Sequence, residues 1–217
     1  MAVEALRRIA VVADQGEART SLGRGPVSRV VRLGLAALIF TALAVAFESV
    51  NFFFFFTVLS NLFFAAISAA QAVRPGLMDA NGVIRGAATL YMTVTGLVYA
   101  VLLRPIEADV GLTDAWVNWV LHSLAPAAAM VDWLLFPPAR KLGRSVLWSW
   151  LVFPAVFLVV TLVRGPIVDW YPYPFLDPAE TGGYFGVAAY SALVLAIFLG
   201  LGAFIRWWSN ARSLQPV

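Results

Sequence analysis

Six segments of mostly apolar residues, each roughly the 20 residues of a membrane-spanning helix, make up most of this sequence. They run near residues 30–47, 52–73, 84–103, 115–136, 146–163 and 184–205. Only 12% of the residues are charged, whereas soluble domains carry about 25%. An apolar exterior is stable in lipid and not in water. The sequence therefore predicts an all-α fold, a polytopic transmembrane helical bundle with six spans.

The predicted loops alternate in charge along the chain. If the amino terminus is inside, 13 of the 15 lysine and arginine residues lie in inner segments, and only Arg104 and Arg164 lie in outer ones. Basic residues mark the cytoplasmic side of a membrane. We therefore expect both termini in the cytoplasm and a multi-pass protein of the cell membrane, inner or plasma. The expected divisions are a cytoplasmic tail 1–28, a transmembrane domain 29–208 and a cytoplasmic tail 209–217.

Prolines and acidic residues agree with this plan. The prolines at or just past the predicted helix ends are Pro75, Pro105, Pro137, Pro138 and Pro166, as expected of residues that interrupt a helix. The predicted outer loops collect the acidic residues Glu48, Glu107, Asp109, Asp114, Asp169, Asp177 and Glu180. A plan with five or seven spans would scramble this alternation.

Polar side chains inside a predicted span are informative, because each costs free energy unless it has a partner or a function. In the second segment they share an arc of about 100° and are Thr57, Ser60, Asn61, Ser68 and Gln71. The fourth segment carries Asn118 and His122, the only histidine, on one face. At 1.5 Å per residue, Thr57 lies roughly 8 Å and His122 roughly 10 Å below the outer ends of their helices. The two side chains meet if the second and fourth helices pack together.

Two interpretations of this polar arrangement are open. A neutral histidine can take the proton of a hydroxyl nucleophile, so Thr57 and His122 can act as nucleophile and base. Asn61 or Asn118 would then orient the imidazole or stabilise an oxyanion. Alternatively, His122 and the hydroxyl stripe only form hydrogen bonds between helices. Composition and spacing alone do not overturn this second interpretation.

The last predicted outer loop is unusually aromatic. Among three prolines, residues 169–178 hold Trp170, Tyr171, Tyr173 and Phe175. They form either an aromatic belt at the membrane interface or a rigid lid over the outer mouth of a cavity. Arg164, near the outer end of the fifth helix, is costly in lipid without a partner, and we expect it to pair with Asp169 or with a substrate carboxylate.

Several membrane functions need residues that this sequence lacks. A retinal Schiff base requires a lysine within a helix, and the single lysine, Lys141, lies in a predicted inner loop. Bis-histidine haem ligation requires two histidines, and a Cys/His zinc site requires more ligands than one histidine. We therefore expect no cofactor and no metal. The run Arg206-Trp207-Trp208 is typical of an interfacial anchor, so we expect no nucleic-acid partner.

Three stretches of the sequence together resemble a known family. They are FTVLSN at 56–61, WVLH at 119–122 followed by Pro126 and Asp132-Trp133, and YPYPFL at 171–176. Their order over residues 30–208, with the six-span plan, resembles the bacterial branch of the androgen-induced family of multi-pass membrane proteins. Eukaryotic members look like threonine hydrolases of fatty acid esters of hydroxy fatty acids.

The resemblance implies a chemical role for the two central side chains. It implies Thr57 as nucleophile, His122 as general base, and a lipid or fatty acyl ester substrate that enters from the bilayer. Ser60 is a rival nucleophile, because the pair Ser60-Asn61 is not expected in the eukaryotic members. The alternative function is non-enzymatic: a small-molecule transporter, or a lipid-binding or scaffold protein with a buried polar cavity. Beyond substrate and membrane lipids, the sequence indicates no partner and no oligomeric state.

Overall fold

The computed structural model describes residue 4 and residues 21–75, 82–104 and 114–213. The elements formed by these residues are all helices, so the predicted all-α fold is confirmed. In chain order the long helices are α1 (Pro26–Ala46), α2 (Phe56–Val73), α3 (Gly82–Val98), α4 (Ala115–Trp119, Val120–Leu124 and Ala125–Leu135), α5 (Val146–Val168) and α6 (Tyr184–Arg212). Short 3₁₀ helices at Val50–Phe54 and Pro174–Leu176 precede α2 and α6.

Each apolar segment of the sequence corresponds to one of these helices. Five of them are long and apolar enough to cross a membrane: α1, α2, α3 with its extension to Leu103, α5 and α6. The helix α4 also runs from 115 to 135, but its middle stretch, Val120–Leu124, is π-helical. A similar π-helical stretch, Tyr99–Leu103, extends α3. These lengths and compositions fit a membrane protein.

The structure corrects the predicted ends of α5 and α2. The helix α5 continues through Pro166 to Val168, with Pro154 also inside it, so the prediction that Pro166 marks a helix end is wrong. Proline removes one backbone hydrogen bond, a loss that long apolar helices tolerate. The second helix begins at Phe56 instead of residue 52, because Phe55 is extended after the 3₁₀ helix. A run of five phenylalanines carries no periodic signal for such a break.

The predicted tails also differ from the observed helix ends. The helix α1 begins at Pro26, inside the expected tail, and α6 continues past residue 208 to Arg212. The rest of the predicted amino-terminal tail, apart from residues 4 and 21–25, lies outside the described residues. So do residues 214–217 and the loop residues Pro105, Glu107 and Asp109.

The helices α2 and α3 form the centre of the bundle. In their most apolar windows 56% of the residues are buried, against 17% in α5 and α6. The helix α1 packs on α2, while α3 also contacts α4 and α6. The predicted polar stripe of α2 faces this centre, since its five members are all buried. The side chains that could carry chemistry therefore lie inside the bundle.

An ionic cluster lies at one end of the bundle, and we call it the Asp132 cluster. It consists of Arg32 from α1, Arg85 from α3 and Asp132 from α4. Arg32 donates to Oδ1 of Asp132 at 2.6 and 2.9 Å, and Arg85 donates to Oδ2 at 3.2 Å. The same arginines also donate to the carbonyls of Gly23 and Phe136. Because three helices share one carboxylate, the cluster fixes their relative positions at what we call the Asp132 end.

The opposite end, the Thr57 end, contains the first turn of α2. An aromatic cluster holds this turn in place: the ring of Phe56 lies 5.3–6.0 Å from the rings of Tyr91, Phe153, Phe157 and Phe198. These rings come from α3, α5 and α6, so they join α2 to the rest of the bundle one residue before Thr57. Aromatic pairs at such distances stabilise a core beyond their buried area.

Candidate active site

Thr57 lies in the first turn of α2, where backbone N–H groups have no partner inside the helix. Its Oγ1 is 3.2 Å from Nε2 of His122 on α4, and the Thr57 residue is only 7% exposed. The two side chains that the sequence places at similar depth are thus within hydrogen-bond distance. They come from residues 65 positions apart in the chain.

The π-helical turn that carries His122 has a local cause in the sequence. Pro126, four residues later, has no N–H for the carbonyl of His122, and its ring would clash with that carbonyl in a regular α-helix. The helix widens ahead of it, and the N–H of Ala125 bonds to the carbonyl of Val120. Gly96 of α3 allows the close approach, since a Cβ there would lie 2.7 Å from Cβ of Pro126. Single π turns of this kind are frequent at functional sites.

The contacts of the His122 imidazole indicate which of its ring nitrogens carries a proton. Nδ1 lies 3.3 Å from the carbonyl oxygen of Asn118. A carbonyl only accepts hydrogen bonds, so Nδ1 carries a proton in this contact, and in a neutral imidazole Nε2 then presents its lone pair to Thr57. The ring of Tyr99 stacks on the imidazole at 4.2 Å, and the Asn118 side chain donates to the Tyr99 hydroxyl at 2.7 Å. This is the arrangement that a general base requires.

Tyr173 covers Thr57 from the loop between α5 and α6. Its hydroxyl accepts a hydrogen bond from the backbone N–H of Thr57 at 3.2 Å and lies 3.4 Å from Oγ1 of the same residue. Its ring packs on Phe55 and stacks on Phe175 at 5.1 Å. Burial raises the pKa of the Tyr173 phenol, and its hydrogen bonds with Thr57 offset this only in part. The hydroxyl therefore keeps its proton at neutral pH and can donate it.

A cavity of about 350 Å³ opens in front of the Thr57–His122 pair. We call it the mouth cavity. Its polar lining comes from Glu48, Ser49, Asn51, Asn118 and His122, and Trp170, Pro172, Tyr173 and Pro174 line another wall. The aromatic loop thus lies over the cavity, which is the position that the lid interpretation of this loop requires.

A second cavity, of about 460 Å³, lies between α3, α5 and α6. We call it the groove cavity. Its lining is almost wholly apolar and includes Val94, Leu151, Ala155, Leu195 and Phe198. Thr57, Leu103 and Tyr173 line both cavities. Thr57 therefore lies where a cavity with a mixed lining meets an almost wholly apolar one.

Ser60 and Asn61, the next polar residues of α2, form hydrogen bonds inside the bundle. The hydroxyl of Ser60 contacts the carbonyl of Thr57 at 3.1 Å and the hydroxyl of Thr95 at 2.9 Å, and Ser60 lines neither cavity. The Asn61 amide donates to the carbonyls of Thr57 and Leu121 at 2.9 and 3.1 Å. It therefore ties α2 to α4 beside the pair. It is the Asn118 carbonyl, and not either amide side chain, that contacts the imidazole.

Neither Arg164 nor Tyr171 lines the mouth cavity or the groove cavity. Arg164 donates to the side chain of Asn51 at 2.6 Å, and its guanidinium stands 4.0 Å from the ring centre of Phe54 and 5.3 Å from that of Trp170. The expected pairing with Asp169 is wrong. Asp169 ends α5 in a left-handed conformation, with φ of 49°, and is exposed there.

Gly165 sets the course of the loop that follows. Any Cβ at this position would overlap the ring of Tyr171, so only glycine lets the loop return across the end of α5.

In the part of the chain that the structure describes, no three His, Asp or Glu side chains come together as metal ligands do.

No model of a protein family, no curated protein and no solved structure matches this chain. The resemblance to the androgen-induced family therefore stays a prediction from its three motifs.

Two residues of the site were not singled out by the sequence. Tyr99 lies on the π turn of α3 and contacts both His122 and Asn118. A hydroxyl in an apolar span needs a hydrogen-bond partner, and that requirement could have drawn attention to it. Asn51, whose side chain accepts a hydrogen bond from Arg164, lies next to a run of phenylalanines. This run has no polar–apolar periodicity, so the sequence does not predict which way the Asn51 side chain faces.

Proposed function

We propose that this protein is an intramembrane hydrolase of lipid-like, fatty acyl esters, with Thr57 as nucleophile and His122 as general base. The observation that carries the proposal is the 3.2 Å separation of Thr57 Oγ1 and His122 Nε2 at the wall of the mouth cavity. This separation is within the distance expected of a nucleophile and its base. The proposal includes membership of the androgen-induced family.

In the first half of the reaction, Thr57 becomes acylated. Nε2 of His122 takes the hydroxyl proton as Oγ1 attacks the carbonyl carbon of the ester. The tetrahedral intermediate collapses when the carbon–oxygen bond to the alcohol breaks, and the imidazolium gives its proton to the departing alcohol oxygen. In the second half, His122 takes a proton from water, the hydroxide attacks the acyl-threonine, and the proton returns to Oγ1. The products are a fatty acid and an alcohol.

Two features of the site support stabilisation of the negative oxygen formed in each half. The backbone N–H of Thr57 lies at the amino end of α2, where the helix dipole favours negative charge. The hydroxyl of Tyr173 lies beside it and keeps its proton because burial raises the pKa of this phenol. A substrate carbonyl oxygen would take the place of the Tyr173 oxygen as the acceptor of the Thr57 N–H, and the displaced phenol hydroxyl would donate its proton to the same oxygen.

The proposal includes an orientation in the membrane. Ten of the 12 basic residues that the structure describes belong to segments at the Asp132 end, and only Arg104 and Arg164 lie near the Thr57 end. Since basic residues mark the cytoplasmic side, we place six spans with both termini in the cytoplasm of a cell membrane. The Thr57–His122 pair then lies in the outer leaflet.

The alternative predicted function, a transporter or a lipid-binding protein, would need a polar path or a polar ligand cavity. The inward part of the α2 stripe, Ser68 and Gln71, is buried and lines neither the mouth cavity nor the groove cavity. These two cavities therefore give no support to passage along α2, whereas ligand binding in the mouth cavity without hydrolysis is distinguished from the hydrolase by the labelling experiment that follows.

Labelling with a fluorophosphonate probe in detergent tests the hydrolase. Wild type is compared with Thr57→Ala, His122→Ala and Ser60→Ala, and monodisperse elution reports folding. We expect labelling of wild type and of Ser60→Ala, and loss of labelling in the other two variants. Loss with Ser60→Ala alone would move the nucleophile to Ser60. A folded wild type that takes up no probe would count against an activated hydroxyl, and transport and ligand-binding assays would follow.

A further inference from the structure

The two cavities that meet at Thr57 differ in chemistry, and this difference can orient a substrate. We infer that the groove cavity is the binding site for the acyl chain of the ester, while the alcohol portion occupies the mouth cavity. The inference rests on the proposed hydrolase function, because it needs the ester carbonyl at Thr57.

The position of His122 decides which portion lies in which cavity. The histidine that activates Thr57 must later give its proton to the departing alcohol oxygen. His122 lines the mouth cavity and not the groove cavity. The alcohol oxygen therefore has to lie on the mouth side of Thr57, and the acyl chain has to leave the carbonyl carbon in the other direction.

Thr57 and Tyr173 line both cavities, which is where the carbonyl group belongs in this orientation. The hydroxyl oxygen of Thr57, the backbone N–H of Thr57 and the hydroxyl of Tyr173 would then all approach the substrate carbonyl group from the same side. The polar side chains of the mouth cavity, among them Glu48, Asn51 and Asn118, can solvate an alcohol and admit water. The groove cavity offers no comparable set of polar groups to an alcohol.

The shape of the groove cavity suits a single extended chain. On α5 its lining extends from Leu158 at the Thr57 end to Trp148, a length of roughly 15 Å at 1.5 Å per residue. Leu195 and Trp148 are 47% and 73% exposed, and Ala155 is exposed as well. The cavity is therefore open sideways between α5 and α6, so a chain can enter laterally without passing the mouth cavity.

Two isomeric esters give a test that does not depend on overall hydrophobicity. Ethyl octanoate carries the long chain on its acyl side, and octyl acetate carries it on its alcohol side, with the same atomic composition. Purified wild type in detergent is assayed with each, and the released acid is measured. We expect ethyl octanoate to be preferred by about tenfold in kcat/KM, the low end of what a filled apolar pocket provides. Equal rates, or a preference for octyl acetate, would overturn the inference.

A blocked groove provides the second arm of the test. The variant Ala155→Trp introduces a bulky side chain into the groove cavity, and Val159→Trp places the same side chain on an exposed face of α5 outside both cavities. We expect Ala155→Trp to abolish the preference for ethyl octanoate while fluorophosphonate labelling of Thr57 persists. Val159→Trp should behave as wild type. Ala192→Phe, across the groove, replaces Ala155→Trp if that variant does not elute as a folded species.

The outcomes separate the inference from the proposed function. A wild type that is labelled at Thr57 and hydrolyses both isomers equally leaves the hydrolase intact and removes the acyl site. The same holds if Ala155→Trp and Val159→Trp have equal isomer preferences. If wild type hydrolyses neither isomer and takes up no probe, the proposed function and the inference fall together.

Discussion

At the scale of single residues, the hydroxyl of Thr57 lies between the His122 imidazole, which can accept a proton, and the Tyr173 hydroxyl, which can donate one. In the proposed reaction Nε2 of His122 takes the hydroxyl proton, because the other ring nitrogen donates to the Asn118 carbonyl. The Tyr173 hydroxyl stays protonated at neutral pH, because burial raises the pKa of its phenol. In the proposed hydrolase, the first group would make the oxygen of Thr57 nucleophilic, and the second would stabilise the charge that the attack creates on the substrate.

Removing only the hydroxyl of Tyr173 tests the role proposed for this second group. The variant Tyr173→Phe keeps the ring that stacks on Phe175, so the loop should stay folded. We expect kcat for ester hydrolysis to fall about 10²-fold, the usual effect of losing one oxyanion donor, with KM little changed. Steady-state kinetics of the purified variant measure both constants.

The matched control for this change is Tyr171→Phe, two residues away in the same loop. The Tyr171 ring packs on Gly165 and lines neither cavity, so its kinetics should be those of wild type. An equal loss of kcat in both variants would mean that the loop needs its hydroxyls for folding and that Tyr173 has no direct role.

The sequence predicts some of these residues and misses others for a physical reason. Helical rise and a shared polar face are enough to place Thr57 and His122 at one depth, and the structure brings them together. The contact of Tyr173 with Thr57 depends on the left-handed turn at Asp169 and on the space above Gly165. Loop geometry of this kind has no periodicity, so the sequence offers Asp169 or a substrate carboxylate as the partner of Arg164 and misses Asn51.

At the scale of elements, the site depends on how closely α3 and α4 approach. The π turn at Val120–Leu124 rotates the helix ahead of Pro126, and Gly96 provides the space for the proline ring. A second π turn, Tyr99–Leu103, brings Tyr99 onto the imidazole. Neither turn is visible in the apolar pattern of the sequence, because a π turn changes the helical phase by a single residue.

The variant Gly96→Ala tests this close approach. An added Cβ would lie 2.7 Å from Pro126 and 3.2 Å from the carbonyl of His122, so α4 must move away from α3. We expect a loss of about 1–3 kcal/mol in stability, typical of overpacking, together with slower fluorophosphonate labelling. Thermal unfolding in detergent and the labelling rate are the two measurements.

Gly34→Ala is the control for a glycine without neighbours. A Cβ at this position of α1 meets no atom within 4 Å, and alanine is a better helix former than glycine by about 1 kcal/mol. Its thermal stability should be equal to or above that of wild type. If Gly96→Ala behaves in the same way, the helices are not held as closely as the structure indicates.

At the scale of the whole molecule, the two ends of the bundle are held by different forces. The Asp132 end is ionic, with two buried arginines on one carboxylate, and the Thr57 end is held by aromatic rings and the loop over the mouth cavity. The all-α fold was predictable from the apolar segments, since length and composition suffice for it. The ionic cluster was not, because its partners are 47 and 100 residues apart.

The variant Asp132→Asn should destabilise the bundle. It removes the carboxylate charge that Arg32 and Arg85 share, and breaking a buried ion pair costs about 3–5 kcal/mol. Asp132 is 24% exposed, so we expect the lower part of this range. Asp114→Asn, which alters an exposed carboxylate at the other end of α4, should leave the unfolding temperature unchanged. Equal unfolding temperatures for both variants would show that the cluster contributes little.

The absence of cysteine allows a direct test of the proposed orientation. Single substitutions Glu180→Cys, near the Thr57 end, and Arg144→Cys, near the Asp132 end, are exposed to a membrane-impermeant maleimide in intact cells. We expect labelling of Glu180→Cys at once and of Arg144→Cys only after the cells are permeabilised. The reverse pattern would invert the protein in the membrane and place the Thr57–His122 pair in the inner leaflet.

The meeting of two cavities at one hydroxyl has a consequence for what happens after the bond is broken. The fatty acid would remain in the groove cavity and diffuse sideways among lipids, whereas the alcohol would leave through the mouth cavity. The hydrolase would then sort its products between two phases as it makes them, and the reverse reaction would require both to return at once. Such a separation would let each product leave by its own route, so that the release of one need not block the release of the other.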